Sequence, residues 1–383
     1  MLLRYQWGIS RGMPVGTPRG LYVHVPFCAK RCDYCDFTTF AGRDDQMADY
    51  ADALCTELRR IGQVWEGHTL HTLFIGGGTP TLLEPTHLAE ILDTISTAFR
   101  WAPDAEWTIE ANPETVTAIT ANCLADHGIN RVSMGAQSFD PMVLDLLGRW
   151  HRPGQVAQAV THVRDANIAQ VSLDLIFGTP GETVESWAGS LQTALDLGPD
   201  HLSAYALTVE PATPYGRRAK INPQLIPDED LQGERLAVTA ELLSDWDHYE
   251  VSNWARTPYN RCRHNLAYWH GDDWLAAGVG ATGALGNRRW WNTRSIDRYL
   301  KAIAQHQSPE GGSEQLDADA LRLEALMMGL RTVEGVAKTR VEPLDAAQLQ
   351  ALYTSGLLID QGEMIHVPPT HFNQVDGIVR TLI

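Results

Sequence analysis

Leu21-Tyr22-Val23-His24-Val25-Pro26-Phe27-Cys28-Ala29-Lys30-Arg31-Cys32-Asp33-Tyr34-Cys35 is the stretch that decides how the rest of this chain is read. Its first five residues form an apolar, strand-like run. A C-x3-C-x2-C loop follows at once. Three thiolates so spaced can hold three irons of a cubic [4Fe–4S] cluster. Such clusters usually take four cysteine ligands, so a set of three leaves one iron open to a small molecule. A zinc site, with His24 or a distant residue as fourth ligand, is the alternative. Zinc ribbons normally bring two C-x2-C pairs, and no second pair follows here.

Outward from that loop, short β-rich runs alternate with amphipathic segments. Strands are predicted at 21–25, 72–75, 106–110, 131–134, 171–176 and 202–209, and helices near 46–62, 86–99, 115–127, 153–167 and 182–197. Asp140-Pro141 and Thr183 read as helix starts, Gly128 and Gly198 as stops. Repeats of this length imply parallel strands with right-handed crossovers. The expected fold is therefore α/β, a partial or full (β/α) barrel over residues 21–210, behind an N-terminal segment 1–20. Function in barrels collects at the C-terminal ends of strands, where each motif below falls.

After residue 210 the rhythm stops, and Pro211, Pro214, Pro223 and Pro227 mark a change of architecture. Residues 211–304 read as an extension of the barrel, with a helix near 228–246, a short strand at 249–252 and an irregular stretch over 254–295. The Gln, Ser and Gly residues of 305–316 predict a linker. Residues 317–383 read as helix, helix, hairpin and helix, a winged-helix-like α+β module. From 317 onward there are nine acidic residues against five Lys and Arg, so the module is expected to pack rather than to bind DNA.

The bulk properties narrow the classes. Hydrophobic residues make up 44% of the 383, enough for a sizeable core, and the net charge is −17. That charge argues against general affinity for nucleic acid phosphates. No apolar run approaches membrane-spanning length, and the N-terminus lacks a signal-peptide core. Three clustered cysteines and three scattered ones (Cys55, Cys123 and Cys262) suit a reducing compartment. A cytoplasmic protein is expected.

Gly76-Gly77-Gly78-Thr79-Pro80 closes the second strand. Its glycines let the backbone approach a ligand, and its amides can face a carboxylate or amino group. Glu110 ends the third strand, where it binds an amino or hydroxyl group or else serves as a cap or ion-pair partner. Gln137 follows the fourth strand, and Arg149 lies two residues before His151. Asp174 interrupts an otherwise apolar fifth strand, and a buried charge demands a ligand or a partner.

Together these residues resemble the radical S-adenosylmethionine (SAM) superfamily, in particular the group of oxygen-independent coproporphyrinogen III oxidases (HemN) and haem-chaperone relatives (HemW). The likeness runs from Leu21 into the C-terminal module. It implies that Cys28, Cys32 and Cys35 hold the cluster, that Tyr22 and Tyr34 flank cluster and cofactor, and that Gly77, Gly78 and Thr79 contact the methionine part of SAM. Glu110, Gln137, Arg149 and Asp174 match further SAM contacts. The chemistry implied is one-electron cleavage of the sulfonium to methionine and a 5′-deoxyadenosyl radical.

Two features separate the branches. The oxidases resemble C-x3-C-x2-C-x-C, where this chain has Phe37 in place of the fourth cysteine, and they carry a longer N-terminal extension. His264-Asn265-Leu266-Ala267-Tyr268-Trp269 instead matches the H-N-x-x-Y-W motif of the chaperone branch. Imidazole is a common haem ligand and aromatic rings pack on porphyrins. Six of the twelve tryptophans lie between 246 and 291, and Arg261 and Arg263 flank the motif as partners for propionates. The bland alternative is a structural loop with a hydrogen-bonded histidine. The expected function is a haem chaperone that binds cluster, SAM and haem through His264, and passes haem to acceptors such as respiratory cytochromes. The electron donor is left unidentified. Coproporphyrinogen decarboxylation is the second reading, and modification of a nucleic acid a distant third.

Overall fold

The computed structural model describes residues 16–383, so most of the expected N-terminal segment 1–20 lies outside the described residues. The barrel strands are β1 (Gly20–Val25), β2 (Thr69–Gly77), β3 (Arg100–Ala111), β4 (Arg131–Gln137), β5 (Gln170–Phe177) and β6 (His201–Ala206). They pair in parallel in chain order. Helices α1 (Met47–Val64), α2 (Pro85–Ala98), α3 (Ala118–Asp126), α4 (Pro141–Leu146), α5 (Pro153–Asp165) and α6 (Val184–Asp196) supply the crossovers. Asp140 and Thr183 cap α4 and α6 with their side chains. Gly128 and Gly198 follow helix ends with positive φ.

On β1, Leu21, Val23 and Val25 are fully buried in the hydrophobic core, whereas Tyr22 faces an internal cavity. That alternation turns one strand into a wall with a greasy back and a polar front. The sheet remains open. Its order continues past β1 into strands drawn from the region expected to be irregular.

There the sequence reading needs correction. Residues 254–295 contain α9 (Arg263–His270) and β9 (Trp274–Ala277), β10 (Thr282–Leu285) and β11 (Arg288–Asn292); before them come α7 (Pro214–Ile221), α8 (Glu229–Leu242), β7 (Asp247–Glu250) and β8 (Asn253–Ala255). Strand β9 lies parallel to β1, making a seventh parallel strand. The expected linker 305–316 holds β12 (Glu310–Gln315), which pairs with β11, after α10 (Ile296–Ala304). The full order is β12-β11-β10-β9-β1-β2-β3-β4-β5-β6-β8-β7. The linker-like glycines have a packing reason: a Cβ on Gly312 would stand 2.5 Å from the Trp291 ring. Buried Glu57 of α1 fixes this added sheet, accepting from the Gly278 amide (2.8 Å), Asn292 (2.8 Å) and the Tyr299 hydroxyl (2.6 Å).

The C-terminal module has its own core, including Leu326, Leu330, Ile365, Phe372 and Ile378. It comprises α11 (Ala318–Gly329), β13 (Val336–Ala337), α12 (Lys338–Val341), α13 (Ala346–Thr354), a hairpin of β14 (Ile359–Gln361) and β15 (Met364–His366), and α14 (Val375–Leu382). Backbone pairing of Val251 with Arg331 and of Val333 with Tyr249 joins it to the barrel unit. Among the described residues no helix is long and apolar enough to cross a membrane.

Candidate functional site

The loop that follows β1 places Cys28, Cys32 and Cys35 along one cleft of about 480 Å³. All three thiols are free and partly exposed. Burial raises the Cys28 pKa and pushes that of Cys35 up to about 11, so loading metal onto them must displace protons. Polar hydrogens already point at the sulfurs: Arg149 Nη1 lies 3.4 Å from Cys32 Sγ and Thr79 Oγ1 3.8 Å from Cys28 Sγ. Among the described residues no three His, Cys, Asp or Glu side chains gather closely enough for a single metal ion. The thiols instead line a shared cleft, a spread that suits ligands of separate irons in a cluster. His24 is not available as a zinc ligand, since its ring nitrogens meet Tyr22 OH (2.9 Å) and the Thr38 carbonyl (2.8 Å).

The same cleft gathers Tyr34, Gly77, Gly78, Thr79, Glu110, Gln137, Arg149 and Asp174. Tyr34 comes from the loop after β1, and the others from the C-terminal halves of β2 to β5 and the loops behind them, as a barrel requires. The glycine turn, however, serves the protein before any ligand. A Cβ on Gly77, at φ +114°, would strike the His24 ring at 2.5 Å, and one on Gly78 would strike the Phe27 carbonyl oxygen at 2.5 Å. The Gly78 and Thr79 amides donate to Val25 (2.8 Å) and Phe27 (2.7 Å) carbonyls. Only the Gly77 amide turns to a carboxylate, and that is Glu110, at 3.0 Å. The turn clamps β2 to the cysteine loop.

Burial raises Glu110 to about 7 despite the Gly77 amide, with Asp174 adding to the shift. Asp174 is likewise raised by burial, against which three hydroxyls work: Ser203 at 2.7 Å, Ser133 at 2.9 Å and Ser172 at 3.4 Å. The lone charge on the fifth strand thus has a serine cage that the sequence reading did not foresee. Gln137 sits at φ 63°, where β4 bulges against β5; a non-glycine residue there is strained in a way common at functional sites. Arg149 is buried and fixed by Asn112 and the Gly135 carbonyl, both at 2.9 Å. Asn112 also donates to Thr79 at 3.0 Å. Its place at a strand end, beside Glu110, was the signal that could have found it.

A smaller chamber of about 240 Å³ adjoins the cleft, with Phe37, Gly77, Glu110, Ser133, Asp174 and Tyr205 bordering both. Tyr22, Phe74, Arg131, His201, Ser203, Cys262, Asn265 and Tyr268 complete its wall. Helix α9 and its N-cap residue are the floor, presenting Cys262, Asn265 and Tyr268 at intervals of three.

His264 points elsewhere. It is fully buried, stacked on Phe74 at 5.3 Å, with Nδ1 2.8 Å from Thr72 Oγ1 and Nε2 2.8 Å from Tyr268 OH. Burial lowers its pKa to about 3. Neither nitrogen is left for haem iron in this conformation, contrary to the sequence expectation. Glu106 accepts the backbone amides of Arg263 (3.0 Å) and His264 (3.1 Å), capping α9. The flanking arginines are spoken for as well: Arg261 pairs with Asp247 and Glu334, both at 2.6 Å, and Arg263 with Asp104 at 3.0 Å.

Against known proteins, residues 22–194 match the model of the Radical SAM superfamily. The chain is 39% identical over 375 residues to the "Heme chaperone HemW" of Mycobacterium tuberculosis, covering 96% of this chain and 95% of that one. The same description belongs to relatives from Synechocystis, 36% identical with 90% and 86% covered, and from Bacillus subtilis, 31% identical with 91% and 93% covered. Among solved structures, the coproporphyrinogen III oxidase HemN of Escherichia coli superposes with a TM-score of 0.82 at 24% identity, over 96% of this chain and 90% of that one. At that identity the likeness speaks for the fold.

Proposed function

Because this chain belongs to the radical SAM superfamily, and within it to the family of the haem chaperone HemW, we propose that it binds a [4Fe–4S] cluster, SAM and haem, and delivers haem to acceptor proteins. One observation carries the reading: end-to-end identity of 39% to a HemW protein, in a chain whose three-thiol loop has Phe37 where a fourth cysteine would stand. Cys28, Cys32 and Cys35 are the proposed cluster ligands. Glu110 and Asp174 offer carboxylates for the ammonium and the hydroxyls of SAM; Gln137 and Arg149 orient it, and Gly77, Gly78 and Thr79 shape the wall on which it lies. Tyr22 and Tyr34 flank the pair. When bound, cluster and SAM supply one-electron chemistry, while the chain's task is to hold, orient and shield them. A cytoplasmic setting, supported by the cysteine usage, and acceptors among respiratory cytochromes belong to the same proposal.

The test is anaerobic reconstitution, followed by haem titration and transfer to a haem-free cytochrome. A saturable Soret shift, with haem passing to the acceptor and no product from coproporphyrinogen III plus SAM and reductant, is the expected result. Protoporphyrinogen formed at enzymatic rates would replace the carrier reading with the decarboxylase.

A further inference from the structure

The three serines around Asp174 are not equivalent. Ser133 and Ser203 border the inner chamber, where water or a ligand competes for their hydrogens. Ser172 is fully buried, its Oγ 3.4 Å from Asp174 Oδ1 and 2.8 Å from His201 Nδ1. On the other side of the ring, His201 Nε2 stands 2.8 Å from the Tyr249 hydroxyl, which accepts the Cys262 amide at 3.2 Å. A line of buried groups thus runs from the N-cap of α9, across β7 and β6, to the carboxylate on β5. At its end Oδ1 takes hydrogens from all three serines, whereas Oδ2 takes one from Ser133 alone. Asp174 itself borders both the cleft and the chamber.

Counting hydrogens gives the line a direction. A hydroxyl has one hydrogen to give, and a neutral imidazole has one donor and one acceptor. Burial, with Arg131 adding, holds His201 neutral, its pKa well below the usual histidine value. An ionised Asp174 only accepts, so the Ser172 hydrogen goes to it. Ser172 then accepts from Nδ1–H, which makes Nε2 the acceptor and the Tyr249 hydroxyl its donor. In the reverse order Ser172 would turn a lone pair on the carboxylate, and the Tyr249 hydrogen would have no acceptor among the described residues. The far end is anchored too. Tyr249 is fully buried, Arg261 lies over its ring at 5.5 Å, and its carbonyl accepts the Val333 amide of the C-terminal module at 3.0 Å. Turning the imidazole would break both of its bonds at once.

We propose that His201 is a positioning residue for the ligand of the cleft: held in one tautomer by Tyr249 and acting through Ser172, it saturates Oδ1 of Asp174 and leaves Oδ2 as the oxygen that receives the ligand's hydroxyl hydrogens. The proposal rests on the reading that SAM lies in the cleft with Asp174 among its contacts. His201 does not touch SAM in this scheme; its effect passes through a serine that lines neither the cleft nor the chamber.

SAM affinity of the anaerobically reconstituted full chain, measured by equilibrium dialysis, decides the matter. Asp174→Asn is the reference and should weaken binding about tenfold or more. Ser172→Ala and His201→Leu should each weaken it by about three- to fivefold. Their double variant should be no weaker than the worse of the two, because both cut the same line. His201→Asn, whose amide can stand in for Nδ1–H, should bind within about twofold of wild type. His201→Gln places its amide near Nε2, leaves Ser172 without a donor and should bind as weakly as His201→Leu. A ring that merely fills space would lower urea midpoints in every His201 variant and would not separate Asn from Gln in SAM affinity. Ser172→Ala, which removes one oxygen, keeps the test open should His201→Leu fail to fold. Additive losses in the double variant, equal SAM affinity of the Asn and Gln variants, or wild-type affinity in Ser172→Ala would overturn the positioning role. Failure of the underlying reading shows separately, as a wild type that does not bind SAM or an Asp174→Asn that binds it undiminished, and the positioning role falls with it.

Discussion

The cysteine loop at the mouth and helix α9 at the floor both present motifs that read as chemistry, yet they treat their reactive groups in opposite ways. At the mouth three thiols are left partly exposed and free, Gln137 is held at positive φ, and a carboxylate is raised to about 7 by burial. At the floor, His264 has both nitrogens hydrogen-bonded, no exposure and a pKa lowered to about 3. One region keeps bonding capacity in reserve and the other spends it on the fold. The sum of a motif's residue types does not tell these apart; the count of unspent lone pairs and protons does.

The largest test of that contrast is at the mouth. Cys32→Ala should reduce iron and inorganic sulfide in anaerobically reconstituted protein from about four each per chain to near background, and abolish the EPR signal of the reduced cluster. Thermal stability should hardly move, because a half-exposed thiol carries little packing. Retention of the signal would remove Cys32 from the ligand set. At the floor the converse is expected. His264→Ala removes a fully buried ring and strands Thr72 and Tyr268, so it should cost about 3 kcal/mol of stability, read by urea titration. Haem affinity of the folded fraction should be unchanged. A lost Soret shift in His264→Gln, which conserves size and one hydrogen bond, would move α9 into the chemical half of the molecule.

Glu110 gives a middle-sized effect with a defined sign. Its pKa of about 7 means that it is protonated below neutrality and charged above. A ligand carrying an ammonium and a sulfonium prefers the charged form. SAM affinity, measured by equilibrium dialysis, should therefore be level above pH 7 and fall by up to about tenfold per unit below it. Glu110→Gln should bind more weakly with a flat profile. The same variant should melt higher at pH 8 without ligand, since it relieves a buried charge. A pH profile unchanged in Glu110→Gln would detach this carboxylate from the ligand.

Much of the mouth was legible because barrels restrict where function can sit and because most of the expected residues end a strand or follow one. Five of the expected helices needed only shifts of a few residues, and the helix starts at Asp140 and Thr183 were local signals. What stayed hidden depends on partners far along the chain. Strand β9 is only four residues long and becomes a strand through pairing with β1, about 250 positions away. The glycines of 311 and 312 resemble a linker until the Trp291 ring and the Thr293 backbone are set beside them. Likewise, no sequence pattern announces that Thr72 and Glu106, both on barrel strands, hold the H-N-x-x-Y-W helix in place. The glycine turn also has a reason within the fold: its neighbours His24 and Phe27 forbid a side chain there whether or not a ligand is bound.

The smallest effect separates a structural histidine from a chemical one through protons alone. His264 is lowered to about 3, and His151 and His248 to about 4, in each case chiefly by burial. In the unfolded chain all three titrate near 6.5, so below that pH the unfolded state binds more protons than the native one. Stability is then full above about pH 6.5 and falls as the pH drops toward the folded values, by up to about 1.4 kcal/mol per unit for each histidine. His264→Gln should remove one proton from that slope, visible in urea midpoints between pH 6.5 and 5. Thr72→Val, which takes away a partner but leaves the ring, should cost about 1 kcal/mol at every pH and leave the slope nearly intact. Were His264 exposed to solvent in the working protein, its substitution would not flatten the slope, and the floor could no longer be set against the mouth.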